Sequence, residues 1–584
     1  MSHLKFGVRD VLLLIRLEAN GTVALERARL APYRAPIAKL QMSERTMTDP
    51  ASIEFDVIVI GAGINGAGIA RDASMRGLKV LLLDKSDIGS GTSSASTRLI
   101  HGGLRYLEHG EFGLVRESLR ERATLLRIAP HLVKQLPILI PIYKGGRRGP
   151  FMIRAGLFAY DLLAHDKQLP PHRMLSRAET LREAPGVNNE GLLGAAVYYD
   201  AQVEFAERLV LENVLAAQNH GAMVVTYARV TRLLVETGRA RRLEFVTEDS
   251  GSKTPSEGMR HTVRGKILVN AAGPWVDQFL EQAIGSSQSL IGGTKGSHII
   301  VAPFSGAPSG AIYAEARSDG RPFFIIPWND NYLIGTTEIR FDDAVDKIHC
   351  EPWEVEYLLG ETNRVFPQAQ LTRNEILYTY SGVRPLPFVS GKDAQSITRR
   401  HSIREHPQLQ NLLSIIGGKL TSYRSLAEQC VNLVFRKLGR PYPKCMTAQV
   451  PLPGAIEFVS FADGFSKQSP FSVAVNARLL RIYGTRASEV AQLCMRDQAL
   501  AEPFNKAADA LAGEIVFSFE QEMAQTLADC LLRRTMIGLN GDLAAGDDEL
   551  ASNIGKRFLG WSEERVANEL RIFQSAVSRL RIDG

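Results

Sequence analysis

From residue 55 onward the chain alternates short apolar runs with small-residue turns. Phe55 to Ile60 (FDVIVI) and Val80 to Leu83 (VLLL) are nearly continuous in apolar side chains. Runs of that kind predict strands covered on both faces, as in a parallel sheet. Between them GAGINGAGIARDASMRG reads as a glycine turn followed by a helix of small residues. GAMVVTYARVTRL and KILVNAAGPW predict more strands of the same domain, and the aromatic- and arginine-rich segments between them predict a second domain made of insertions. After about residue 446 the period turns helical, with VPLPG (450 to 454) as a linker and EQEMAQTLADCLLRR as an amphipathic helix. Three regions result: an N-terminal extension (1–54) that is a candidate for disorder, a discontinuous α/β region (55–445) with an inserted α+β domain, and a helical C-terminal domain (446–584).

Composition narrows the function classes. With 584 residues the chain exceeds a single core. A 45% apolar and 23% charged content is that of an ordinary folded protein. The net charge of +6 is scattered, with no basic stripe interleaved with aromatics, so nucleic acid is not an expected partner. Five widely spaced cysteines without a CxxC predict neither a disulfide framework nor a zinc site. GDLAAGDDEL lacks the alternating ligands of a calcium loop, and no metal is expected. VLLLIRL (11 to 17) carries Arg16, and no run reaches the roughly 18 to 20 apolar residues of a membrane-spanning helix.

The glycine turn carries the first chemistry. Gly61, Gly63 and Gly66 stand in G-x-G-x-x-G spacing after a strand and before a helix. Such a turn lets a backbone approach a pyrophosphate at a helix N-terminus. Asp84 closes the second strand at the offset of a ribose-binding acid. The next segment is DIGSGTSSASTRLIHGGLRY, a hydroxyl- and glycine-rich stretch rather than another βα repeat. A long flavin dinucleotide lined by such residues is favoured over a nicotinamide, so FAD is the expected cofactor. Two glycines between His101 and Arg105–Tyr106 raise the question of what lies close to the backbone there.

GAGINGAGIARDA, TSSASTRLIHGGLRYLEHGEF, NAAGPW, KGSHI, YSGVRPL and GGKLTSYR, in this order and spacing, resemble the FAD-dependent respiratory glycerol-3-phosphate dehydrogenases. The resemblance spans about residues 55 to 445 and implies an amino-acid-oxidase-like, Rossmann-type FAD domain. The tail, with LADCLLRRTMIGL and RFLGWSEERV, resembles the helical C-terminal domain of the same family. It implies oxidation of sn-glycerol 3-phosphate to dihydroxyacetone phosphate by hydride transfer to FAD, with electrons passed to ubiquinone or another membrane quinone. It also implies Gly102 and Gly103 kept small by a flavin ring beside the backbone. Arg384, Arg105 and Arg399 are the anion-binding candidates, Tyr106 and His298 complete the pocket, and Gly418, Lys419, Leu420 and Thr421 lie at the flavin edge. Asp84 stands where the family commonly carries glutamate.

Other assignments stay open at this level. The base is His101 or His298, since both have a suitable ordinary pKa, while Arg384 acts electrostatically. Ser93, Ser94 and Ser96 bond flavin or cap a helix. Val230, at the end of the strand TYARV, is a candidate for adenine, and Ala272 and Gly273 for the pyrophosphate or ribose. Between His131 and Leu163, Lys144, Arg147, Arg148 and Arg154 alternate with apolar residues, which suits an anionic lipid surface. The expected placement is therefore cytoplasmic, peripheral to the inner face of the cell membrane, as a homodimer. The alternatives are an oxidase that uses oxygen, a dehydrogenase of hydroxy or amino acids, and, remotely, a flavin-containing nucleic-acid-modifying protein.

Overall fold

Strand Glu54–Ile60 sits in the middle of a sheet whose neighbours on both sides run parallel to it. Val57 to Ile60 pair with Val80 to Leu83, and Val57 to Ile60 also face Ile267 to Asn270 of strand Met259–Asn270. Met223–Val225 extends the parallel set on one side and Leu409–Ile416 on the other. Residues 55 to 60 and 80 to 83 are buried almost without exception, as their apolar continuity predicts. The computed structural model describes residues 54–108, 110–164, 169–248, 258–286, 289–390, 397–505 and 509–582, with the backbone of two strands nearer the N-terminus.

Those two, Leu14–Leu17 and Val23–Glu26, form an antiparallel pair by themselves. The remainder of the expected 1–54 extension, Glu54 excepted, lies outside the described residues. Among the described residues no helix is long and apolar enough to cross a membrane.

Helix Ile64–Met75 lies on the parallel sheet because its inner face is made of small residues. A Cβ at Gly66 would stand 1.8 Å from the Gly61 carbonyl oxygen, and one at Gly68 would stand 2.7 Å from the Tyr423 ring. The third glycine of the motif therefore serves helix packing. A second, mixed sheet is built largely from the insertions, with Ile291–Val301 paired antiparallel to Ile376–Pro387 over eleven residue pairs.

The C-terminal region is helical, as expected, but two of its features depart from the sequence reading. EQEMAQTLADCLLRR is not one amphipathic helix: helix Ala512–Gln521 ends, Met523 takes a positive φ of 57°, and a new helical turn begins at Leu527. Its charged residues face inward. Glu522 is paired with Arg208 and Arg486, and Arg534 with Asp87, all of them buried. VPLPG is not a solvated linker either. Leu452 is buried, and Gly454 packs against a Glu212–His131 pair, its N–H donating to Glu212. One apolar core consequently joins the second sheet to the C-terminal helices.

Candidate active site

A cavity of about 1250 Å³ runs between the two sheets' sites, above the usual range of roughly 300 to 1000 Å³ for pockets that hold one small ligand. One end is the glycine turn. Gly61 adopts φ +104°, and its N–H donates to the Leu83 carbonyl at 2.7 Å. Asp84 accepts from the Ala62 N–H at 2.6 Å and from the Ser86 N–H at 2.8 Å. Burial pushes its carboxyl up to about 6 against those two donors. The Ser93 hydroxyl accepts from the Ile64 N–H at 3.0 Å, so it caps the nucleotide helix. The Ser94 hydroxyl donates to the Gly91 carbonyl, and that of Ser96 accepts from the Arg98 N–H. These three serines shape the loop that lines the cavity.

Val230, Ala272 and Gly273 line the same end. The strand containing Val230 begins at Ala228, after Tyr227 turns the chain through φ +54°. Val230 thus stands near the start of its strand, not at its end as the sequence suggested.

The other end is cationic. Strand partners Thr294↔Arg384 and His298↔Tyr380 place the KGSHI and YSGVRPL motifs side by side. A Cβ at Gly296 would lie 2.5 Å from an Arg384 guanidinium nitrogen, and one at Gly335 2.4 Å from the His298 ring. Both glycines are small because the Arg384 or His298 side chain lies across them. The Arg384 Nη2 donates to the Thr336 hydroxyl at 3.2 Å. Its Nη1 is buried without a hydrogen-bond partner, 3.9 Å from a Glu338 carboxylate oxygen. Arg399 bonds the same carboxylate.

His298 is 1% exposed, stacks on Tyr380 at 4.8 Å and has Thr97 Oγ1 2.9 Å from its Nε2. Its Nδ1 has no partner. Burial first and Arg384 second hold the imidazole well below its ordinary pKa, so it is neutral at pH 7. Burial likewise brings His101 down to about 4. Lys419 stands 3.8 Å over the Tyr106 ring, with its Nζ buried and unpartnered. Burial brings that amine down to about 7.

In HGGLRY the nearest neighbours of both glycines are protein side chains. Gly102 does not line the cavity. A Cβ there would meet the Tyr160 hydroxyl at 2.4 Å and Leu119 at 2.6 Å. Its N–H donates to that hydroxyl and to buried Asp200, which also accepts from Tyr160 and Arg122. Gly103 takes φ +80°, and a Cβ there would strike the Tyr106 ring at 2.1 Å. At both positions the close neighbours are protein side chains, and Gly103 also lines the cavity. The turn aims His101, Arg105 and Tyr106 into the cavity.

The group that the glycine turn calls for fits these walls. A dinucleotide requires bare backbone at a helix N-terminus, an acid beyond the second strand, and a second Gly-rich wall. Gly63 caps the helix with no side chain of its own, Asp84 follows, and Gly417, Gly418, Lys419, Leu420 and Thr421 form that wall. Asn65, whose Oδ1 is buried without a partner, links both through a bond to the Gly417 carbonyl.

Residues 56–419 match the family model of FAD dependent oxidoreductases, and residues 445–566 match the C-terminal domain of alpha-glycerophosphate oxidase. A glycerol-3-phosphate dehydrogenase of Synechocystis sp. is 46% identical over 509 residues, 85% of this chain and 91% of that protein. The chain belongs to the FAD-dependent glycerol-3-phosphate dehydrogenase family. An aerobic glycerol-3-phosphate dehydrogenase of Staphylococcus aureus is 34% identical, covering 82% of this chain and 86% of its own length. The glycerol-3-phosphate dehydrogenase of Bacillus halodurans, solved in complex with FAD, superposes with a TM-score of 0.75 at 28% identity, over 91% of this chain and 96% of that one. FAD is thus the cofactor of this dehydrogenase, in the fold expected from the sequence.

Of the catalytic, substrate-binding and cofactor-binding candidates named from sequence, all but Gly66 and Gly102 line this one cavity. The sequence reading missed Glu338, Arg321, Thr336, Thr97 and Asp200. A pocket with three arginines and a lysine needs a counter-charge, and that imbalance was the available signal for Glu338. Among the described residues no cluster of metal-ligating side chains occurs.

In the lipid segment the structure separates two parts. Val133–Tyr143 is a strand of the second sheet, and Arg148 turns toward Glu108 and Glu315. Helix Pro150–Leu163 keeps an exposed apolar face.

Proposed function

We propose that the protein oxidises sn-glycerol 3-phosphate to dihydroxyacetone phosphate and passes two electrons to a membrane quinone. The observation that carries this reading is the convergence of Arg384, Arg399, Lys419 and His298 at one end of a cavity whose other end is the glycine turn and Asp84. FAD, when bound, takes the hydride leaving C2 of the substrate.

The remaining work falls to the chain. Arg384 and Arg399 each keep an Nη1 free of protein hydrogen bonds, and these donors meet the substrate phosphate by charge-assisted bonds. Lys419 adds a compact donor beside Tyr106. The C2 hydroxyl gives its proton to the open Nδ1 of His298, while Thr97 and Tyr380 hold the ring. A phosphate on Arg384 offsets the charge that helps hold the imidazole pKa down, so proton uptake becomes easier once the substrate is seated.

The match of the tail to an alpha-glycerophosphate oxidase domain supports a second reading, in which oxygen is the acceptor. An anaerobic titration with glycerol 3-phosphate, followed at about 450 nm where oxidised flavin absorbs, separates the readings. Bleaching reversed faster by a quinone analogue than by air is expected. Faster reversal by air makes the protein an oxidase, and no bleaching overturns the substrate.

Peripheral attachment to the inner face of the cell membrane is supported by helix Pro150–Leu163. Phe151, Met152, Phe158 and Leu162 stand on its outside, 85%, 60%, 65% and 77% exposed, beside exposed Lys144, Arg147 and Arg154. Large apolar side chains flanked by cations suit insertion at an anionic lipid interface. Burying each is worth roughly 1.5 to 3 kcal/mol. The Phe158→Ser/Leu162→Ser pair is expected to weaken cosedimentation with phosphatidylglycerol vesicles by at least about tenfold. Unchanged sedimentation removes this helix from the interface.

A further inference from the structure

Three arginines from separate stretches of chain meet at one acidic residue. Arg399 bonds the Glu338 carboxylate, the Arg384 Nη1 lies 3.9 Å from the same oxygen, and Arg321 donates to the Glu338 backbone carbonyl. Glu338 itself is 8% exposed and lines the cavity. The Arg384 Nη1, the Arg399 Nη1 and the Arg321 Nε are buried without hydrogen-bond partners, as is the Lys419 Nζ.

Such crowding is unfavourable by itself. Like charges repel strongly where water is scarce, and a flexible arginine has other rotamers in which to avoid its neighbour. Among the described residues, Glu338 is the carboxylate paired with both Arg384 and Arg399. Arg321 has its own acid in Asp319, 3.3 Å from its Nε. The Arg384, Arg399 and Glu338 set therefore carries one net positive charge, to which Lys419 adds a fraction near neutral pH. A phosphate monoester, which carries about −1.5 to −2 at pH 7, meets net positive charge at this end of the cavity.

We propose that Glu338 is a positioning residue that holds Arg384 and Arg399 side by side at the anion-binding end of the cavity. The proposal rests on the reading of this pocket as the glycerol 3-phosphate site. It goes further by giving the alignment of the arginines to a group that need not touch the substrate.

In the Glu338→Gln variant the side chain keeps its size and loses its charge. Arg399 and Arg384 then separate, and kcat for glycerol 3-phosphate falls by about a hundredfold, the cost of an ångström-scale misplacement of reacting groups. Glu338→Asp recovers part of the lost kcat. In the Arg399→Met background the same Glu338→Gln change costs less than a third of its effect in the unaltered protein, since the group to be held is gone. FAD content and Tm are measured beside the kinetics.

Two results overturn the proposal: kcat within threefold of the unaltered protein, or a fall in kcat that follows FAD content or Tm in both Glu338 variants. An equal cost in the two backgrounds overturns it as well. If the unaltered holoenzyme does not turn over glycerol 3-phosphate, the reading of the pocket has failed first, and that outcome is visible before any variant is made.

Discussion

An Arg384→Ala variant is expected to lose turnover of glycerol 3-phosphate by about a hundred- to a thousandfold while keeping its FAD. The loss has that size because a preorganised donor aimed at developing charge is worth roughly that factor. Arg384 is such a donor: one nitrogen is tied to Thr336, and the other is buried 3.9 Å from Glu338 without a hydrogen bond. Its removal leaves no buried anion stranded, since Glu338 keeps Arg399. The backbone of Ile376–Pro387 remains paired with Ile291–Val301 along its length. The fold should therefore survive, and the glycine turn at the far end should still hold the dinucleotide. The check is kcat beside the ratio of flavin to protein absorbance. A parallel fall of both would make Arg384 a structural residue.

The second large effect is expected at the turn itself. Gly61→Val should yield protein with less than about a tenth of the normal FAD. A Cβ at Gly61 would stand 2.6 Å from the Ala271 carbonyl oxygen and 2.8 Å from its carbon, both of them backbone atoms that cannot rotate away. The residue also holds φ +104°, where side chains other than glycine are strained by roughly 1 to 2 kcal/mol. Overpacking adds about 1 to 3 kcal/mol. Three strands end around this residue, through bonds from Gly61 N–H to Leu83 and from Ala271 N–H to Ile60. A shift here moves the floor of the cofactor site.

Gly77→Ala is the comparison that separates the two costs. Gly77 has φ +83°, but nothing lies within 4 Å of a Cβ built there. Its alanine variant should lose a little stability and retain its flavin, as read by thermal melting and the 450 nm band, a rough position for oxidised flavin. Equal flavin loss in both variants would shift the explanation from contact to backbone strain.

Legibility differed sharply between parts of this molecule. The strand, glycine turn, helix and acid of residues 54 to 84 were readable because each depends on neighbours close in sequence. KGSHI and YSGVRPL were readable as motifs, yet their register, with His298 opposite Tyr380, exists only in the sheet. Glu338 escaped notice because TTEIRF is a short extended stretch with no period, in which a lone acid reads as a solvated charge. The stretch 520 to 534 misled for the opposite reason. Its period is helical, but Glu522 and Arg534 leave the expected polar face to pair inside the protein.

By itself, then, the sequence determined the FAD-type α/β fold, the cofactor turn and most of the residue types at the reacting end. Backbone conformation and burial pattern are local properties, and apolar runs and glycines record them directly. Only the tertiary structure decided which charges are partners, that Gly102 is small because of Tyr160 and Leu119, and that VPLPG is packed rather than free. Arg208 and Glu522 are 314 residues apart in the chain and joined in the core. An ion pair of that kind depends on distances in space that no window of sequence contains.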